Sequence, residues 1–144
     1  MPTLRLSLDH HRTEAVSSLL EAVENFLGPL GVPPVVRQHL LLSIEELVAN
    51  SIQYGKPDED AAPIHLELAA TDEALRCWIT DSGVPFDPLT DVPAPDLDSP
   101  IEIRRVGGLG VYLVRTLMDE MTYERRDGQN HVMLMKRLKV ADPT

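Results

Sequence analysis

The five residues Glu46-Leu47-Val48-Ala49-Asn50 set a carboxylate and a carboxamide four positions apart, within a segment of helical periodicity. Residues four apart share one face of a helix, so these two polar side chains are expected to point the same way. The apolar stripe of the segment, which includes Leu40, Ile44 and Leu47, points elsewhere. The polar face is therefore free to line a cleft instead of packing into the core.

Two later segments add the chemistry that such a cleft needs. Asp81-Ser82-Gly83-Val84-Pro85-Phe86-Asp87-Pro88 follows a strand-like run, and Gly107-Gly108-Leu109-Gly110 opens a helical run. The backbone N–H groups at a helix N-terminus attract phosphate oxygens, and Arg105, just upstream, could donate two hydrogen bonds to a phosphate. A carboxamide oxygen suits Mg²⁺, and a carboxylate one turn away can accept a proton from an attacking hydroxyl. Together the three segments supply the groups needed to hold Mg-ATP. They do so without a P-loop, because the sequence lacks the motif G-x-x-x-x-G-K-[ST].

The elements around these segments follow from periodicity and turn residues. Helical spacing and alternation predict the order β-α-α-β-β-loop-α-β-β, with a hairpin turn at Asp127-Gly128. That order predicts an α+β fold: a two-layer α/β sandwich whose mostly antiparallel, mixed sheet carries three helices on one face. Residues 81–106, rich in proline and acids, predict a long loop, and a loop of this length in a compact domain is usually functional or mobile.

Composition limits the class of protein. The 144 residues fit one domain, residues 1–144, and 13 Lys and Arg against 23 Asp and Glu give a net charge of -10. This excess of acid argues against a nucleic-acid partner. A lone cysteine, Cys77, suits a reducing compartment, and no apolar run approaches the ~20 residues that span a bilayer. We therefore expect a cytoplasmic protein without a membrane segment.

In order and spacing, the three segments resemble the N, G1 and G2 boxes of the GHKL (Bergerat-fold, histidine-kinase-like) ATP-binding superfamily. Within it they are most similar to the bacterial anti-sigma-factor serine/threonine kinases, and Gly110–Glu120 extends the similarity. The resemblance implies ATP and Mg²⁺ as cofactors and the Bergerat fold. The residue roles that it implies are Mg²⁺ binding by Asn50, general-base catalysis by Glu46, adenine recognition by Asp81 and Gly83, phosphate binding by Arg105, Gly107, Gly108 and Gly110, and an ATP lid over 87–107.

The resemblance also implies partners. Members of that kinase family sequester a sigma factor and phosphorylate a small STAS-domain antagonist of the anti-sigma factor, and they form homodimers. Two positions depart from the superfamily pattern. Pro85 stands where a second glycine is common, and Met133 is predicted to replace a threonine near the adenine.

Other interpretations of the same residues remain open at the level of sequence. Glu46 and Asn50 could belong to a solvated helix face, Asp81 could form only an Asx turn, and the glycines could only end a loop. At the level of function, the alternatives are a catalytically weak ATP-binding module that switches a partner, a detached histidine-kinase ATPase domain, and a structural role. The second of these lacks support, because the chain contains no helical hairpin with a phosphoacceptor histidine.

Overall fold

The fold is seen in a computed structural model, which describes residues 1–9, 13–54, 63–90 and 106–139. Nine elements follow one another along the chain. They are β1 (Thr3–Leu8), α1 (Thr13–Leu27), a 3-10 turn (Gly28–Leu30), α2 (Pro34–Tyr54), β2 (Ile64–Ala70), β3 (Ala74–Asp81), α3 (Val106–Leu117), β4 (Glu120–Arg126) and β5 (Gln129–Arg137).

The strands form one sheet in the order β1-β2-β3-β5-β4. All four pairings are antiparallel, so the described strands include no parallel pair. Two of the connections are tight hairpins because their turn residues allow it. Asp127 and Gly128 both adopt positive φ, at 53° and 76°, as a two-residue hairpin turn requires. Thr71 closes the other hairpin, since its hydroxyl accepts hydrogen bonds from the backbone N–H groups of Glu73 and Ala74.

One face of the sheet carries the core. Every second residue of β3 and β5 points to the face of the sheet that the helices cover. The side chains on this face are buried under apolar residues of the helices. Helix α2 crosses this face between α1 and α3, with Leu40, Ile44 and Val48 fully buried. The predicted α+β sandwich is confirmed. Among the helices of the described residues, none is long and apolar enough to cross a bilayer.

Candidate functional site

A narrow pocket lies where α2 passes over the ends of β3 and β5. The inward positions of β3 alternate from Cys77 through Ile79 to Asp81, so the strand ends with a carboxylate on the core side. Residues 82–90 then turn back over this end of the sheet. The pocket is lined by Leu47, Asn50, Ser51, Ile79, Asp81, Phe86, Pro88, Asn130 and Val132.

Asn50 is one of the two polar residues, with Ser51, that α2 contributes to this pocket. Its side chain is only 5% exposed, and its Nδ2 finds no hydrogen-bond partner among the described residues. Leaving a buried amide unpaired costs about 1–3 kcal/mol, so such an atom points to a missing ligand. The interpretation of this helix face as merely solvated is therefore wrong at Asn50, and its Nδ2 fits a ligand that accepts a hydrogen bond.

Asp81 forms an Asx turn and still faces the pocket. Its Oδ1 accepts a hydrogen bond from the Gly83 N–H at 2.9 Å, which fixes the start of the loop. The same oxygen accepts a second bond from Asn130 Nδ2, also at 2.9 Å. No described residue donates to Oδ2. The turn and a ligand contact are thus compatible, because each uses a different carboxylate oxygen.

The hairpin formed by β4 and β5 holds the loop after Asp81. Arg125 donates to the Gly83 carbonyl at 2.8 Å, and Gln129 donates to Ser82 Oγ at 3.2 Å. Asn130 is the buried member of this group, with 3% of its side chain exposed. Asn130 was not among the site residues predicted from the sequence. The feature that could have identified it is its position in β5, on the same core-facing side as Val132 and Leu134.

Glu46 lies one turn before Asn50, against the first turns of α3. A Cβ built on Gly110 would collide with the Glu46 carboxylate, whose Cδ would stand 2.9 Å away. Only glycine at this position lets the carboxylate lie against the helix backbone. Partial burial raises the pKa of Glu46, and the nearby charge of Glu45 raises it further. A raised pKa favours a group that takes up a proton near neutral pH.

The glycine-rich segment is helical from its first residue. Gly107, Gly108 and Gly110 all belong to α3, whose backbone begins at Val106. The predicted phosphate contact of Arg105, and positions 91–105 of the predicted lid, lie outside the described residues. What the structure does establish is that Gly110 brings the N-terminal part of α3 beside Glu46.

Met133 does not take the place that the sequence predicted for it. It pairs with Trp78 across the sheet, and Trp78 is exposed. Because neighbouring residues of a strand point to opposite faces, Met133 faces away from the pocket, and the β5 residues that line it are Asn130 and Val132. The prediction was wrong by one position, which in a strand changes the face.

The pocket is small and lined by both polar and apolar groups. It encloses about 10 Å³, room for about one water molecule. Phe86 and Pro88 line it from the loop after β3, and the next turn is held by Asp87, whose carboxylate accepts the Leu89 N–H at 2.8 Å.

Comparisons with known proteins agree with this architecture. The sequence pattern of the family described as "Histidine kinase-like ATPase domain" matches residues 10–136. The chain is 33% identical over 99 residues to serine/threonine-protein kinase BtrW of Bordetella bronchiseptica, a match covering 69% of each protein. It is 28% identical over 99 residues to serine-protein kinase RsbW of Listeria monocytogenes, a match covering 67% of this chain and 63% of that relative.

Two solved structures share the fold. The RsbU and RsbW domains of a Mycobacterium tuberculosis protein superpose with a TM-score of 0.67 at 18% identity, over 96% of this chain and 33% of that one. A chain of the SiaB-SiaC complex of Pseudomonas aeruginosa superposes with a TM-score of 0.59 at 14% identity, over 93% of this chain and 89% of that one. At these identities the likeness concerns the fold alone.

Proposed function

The chain belongs to the histidine kinase-like ATPase domain family, as the sequence predicted, and from that premise we propose that it is an ATP- and Mg²⁺-dependent protein serine/threonine kinase. Relatives named as serine- or serine/threonine-protein kinases support the activity. The observation that carries the proposal is the unpartnered, buried amide of Asn50. It shares one pocket with Asp81 and lies one helical turn from Glu46.

Each residue of the pocket has a distinct part in this proposal. The free Oδ2 of Asp81 accepts a hydrogen bond from the adenine amino group, and the Asx turn at Gly83 keeps the backbone close to the base. Asn50 offers its amide oxygen to Mg²⁺, a hard ion that prefers oxygen ligands. When bound, Mg-ATP supplies the phosphoryl group together with the cation that neutralises its charge.

The chemical step depends on the other end of this helix face. Glu46 orients the substrate hydroxyl and accepts its proton, a role that suits a carboxylate whose pKa is raised by burial. Gly107, Gly108 and Gly110 present the N-terminal end of α3 to the phosphates, where backbone N–H groups are unpaired and the helix dipole is positive. Arg105 adds a phosphate contact from the lid, residues 87–107.

The partners in this proposal are proteins. The substrate is a serine or threonine of a STAS-domain anti-sigma-factor antagonist, the sequestered partner is a sigma factor, and the kinase acts as a cytoplasmic homodimer. The names of BtrW and RsbW, a serine/threonine- and a serine-protein kinase, support a protein as the substrate. The net charge of -10 also favours protein partners over nucleic acid.

The test compares Glu46→Gln with Glu45→Gln. Glutamine keeps the size of Glu46 but accepts no proton, so phosphoryl transfer from ATP to a STAS-domain substrate protein should fall about 10²–10⁴-fold. Nucleotide binding should stay within about threefold, because Glu46 does not touch the base in this proposal. Glu45 is exposed on the same turn and affects Glu46 only through its charge, so its variant should lower the pKa of Glu46 and still transfer phosphate far faster than Glu46→Gln.

The outcomes separate the candidate functions. Full transfer by Glu46→Gln would place the base elsewhere. Nucleotide binding without transfer by any of the three proteins would favour the alternative, a regulatory module that switches a partner by conformational change. Absence of adenine-nucleotide binding would refute the proposed function altogether.

A further inference from the structure

Asn130 makes a complete set of hydrogen bonds inside the fold. Its Nδ2 donates to Asp81 Oδ1 at 2.9 Å and to the Val84 carbonyl at 2.8 Å. Its Oδ1 accepts from the Tyr123 hydroxyl at 2.6 Å and from the Phe86 N–H at 3.3 Å. Both amide protons and both oxygen lone pairs are therefore used. The residue joins β3, β4, β5 and the loop that walls the pocket.

These partners allow only one orientation of the amide. The Val84 carbonyl can only accept a hydrogen bond, and the Phe86 N–H can only donate one. A rotated amide would set donor against donor and acceptor against acceptor. The two ends of Asn130 thus have fixed roles: the Nδ2 end contacts the carboxylate, and the Oδ1 end contacts the loop and Tyr123.

We propose that Asn130 is a positioning residue that turns Asp81 toward the nucleotide base and thereby sets its selectivity for adenine. The inference rests on the proposed function. Oδ1 of Asp81 is occupied by two N–H groups, from Asn130 and Gly83, so the carboxylate cannot rotate without breaking both bonds. Charge-assisted hydrogen bonds of this kind are short and directional. The remaining oxygen, Oδ2, is left for the exocyclic amino group.

Two nucleotides that differ only in this amino group distinguish an effect on the orientation of Asp81 from an effect on the stability of the protein. Adenosine diphosphate carries the 6-amino group, whereas purine riboside 5′-diphosphate lacks it and is otherwise the same. If Asp81 accepts a hydrogen bond from this group, the wild type should prefer the first nucleotide by about 10–100-fold. The selectivity ratio, measured by calorimetry, then reports the orientation of Asp81.

The variant Asn130→Asp keeps the shape of the side chain and removes its two donors. At about pH 8 it places a second carboxylate beside Asp81, and like charges repel. We expect its affinity for adenosine diphosphate to fall about tenfold or more, while its affinity for purine riboside diphosphate changes less than about threefold. Gln129→Ala is the matched control, since it removes the neighbouring contact with Ser82 and leaves Asp81 untouched.

The pH dependence gives a second readout. Two adjacent carboxyl groups share a proton as the pH falls, so at about pH 5.5 the new aspartic acid can donate to Asp81 again. The charged or titratable groups around this position are Asp81 on β3, Tyr123 and Arg125 on β4, and Asp87 on the loop. Burial raises the pKa of Tyr123 above its usual 10.0, and arginine stays protonated, so neither changes charge between these pH values. Adenine selectivity should return in Asn130→Asp at low pH.

The results divide cleanly. Equal loss of both nucleotides, without recovery at low pH, would show that Asn130 only supports the fold, and unchanged selectivity would also overturn the proposal. If the wild type binds neither nucleotide, the proposed function fails instead. Should Asn130→Asp not fold, Tyr123→Phe provides the test. It removes the hydroxyl that fixes the amide oxygen, so selectivity should fall several-fold, and an unchanged ratio would refute the role of Asn130.

Discussion

Replacing Gly110 with alanine should disable catalysis while leaving the fold intact. The added methyl group would overlap the Glu46 carboxylate, with Cδ at 2.9 Å and its Oε2 closer still. Such an approach is too short for carbon against carbon or oxygen, so one side must move. The end of the Glu46 side chain is flexible and can move, whereas Gly110 is buried and its backbone is held in α3. Glu46 should therefore leave its place beside the helix.

The expected change in stability is small because two terms oppose each other. Alanine favours a helix over glycine by about 0.5–1 kcal/mol. A displaced glutamate in a strained rotamer costs about 0.5–1.5 kcal/mol. The free energy of unfolding should then stay within about 1 kcal/mol of the wild type, equivalent to a melting temperature within about 4 °C. Catalysis should suffer far more, since misplacing a general base removes about 10²–10⁴-fold in rate.

Phosphoryl transfer to the STAS-domain protein, nucleotide binding and thermal melting should be measured on the same preparations. Gly28→Ala is the matched control. A Cβ there meets only Arg37 Nη1 at 3.8 Å, which is ordinary van der Waals contact. This control carries the same substitution at a glycine of the 3-10 turn, away from the pocket, and should retain full transfer.

A double variant shows whether Gly110→Ala acts through Glu46. If it does, adding Gly110→Ala to Glu46→Gln should cause little further loss, because the base is already absent. Additive losses would mean that the methyl group disturbs another part of the site. Full transfer by Gly110→Ala, or destabilisation by several kcal/mol, would show that the contact between Glu46 and α3 lacks the importance assigned to it.

Two further outcomes follow from the same site. Asn50→Ala should bind adenosine triphosphate almost independently of Mg²⁺, whereas the wild type should gain affinity with it; calorimetry with and without the ion decides, and unchanged dependence would exclude Asn50 as the ligand. Glu46→Gln should be more stable than the wild type at pH 7 but not at pH 4. The pKa of Glu46 in the folded protein is raised above its unfolded value of 4.5, so between these two pKa values the folded protein binds more protons than the unfolded chain. The free energy of unfolding therefore falls as the pH rises through the folded pKa. Thermal melting at the two pH values measures the difference, and an equal difference at both would contradict the shift.

The parts of the fold that were predictable from sequence depend on local chemistry. The hairpin at Asp127-Gly128 was predictable because a two-residue turn needs positive φ at both positions. The strands were predictable because their apolar residues alternate, as Leu4, Leu6 and Leu8 do in β1. Asn50 and Asp81, which the family resemblance assigns to one nucleotide site, line the same pocket.

The missed parts depend on contacts between distant segments. Asn130 lies 49 residues from Asp81, and its role arises only when three strands and a loop converge. An asparagine beside a hairpin turn is ordinarily read as a turn residue. The alternation of side chains between the two faces of β5 would have placed Asn130 on the pocket side. The same alternation would have placed Val132 at the pocket in place of Met133. In both cases the face of the β5 strand on which a residue lies decides whether its side chain reaches the pocket.

The site divides along the two layers of the fold. In the proposed function, base recognition depends on the sheet, where the β4–β5 hairpin holds Asp81 and its loop through Asn130. The proposed catalysis depends on the helix layer, where Glu46 lies across the contact between α2 and α3 at Gly110. Few groups are shared between the two sets, so changes in one should add to changes in the other. Asn130→Asp should alter nucleotide affinity and leave transfer at saturating ATP unchanged, and Gly110→Ala should do the reverse.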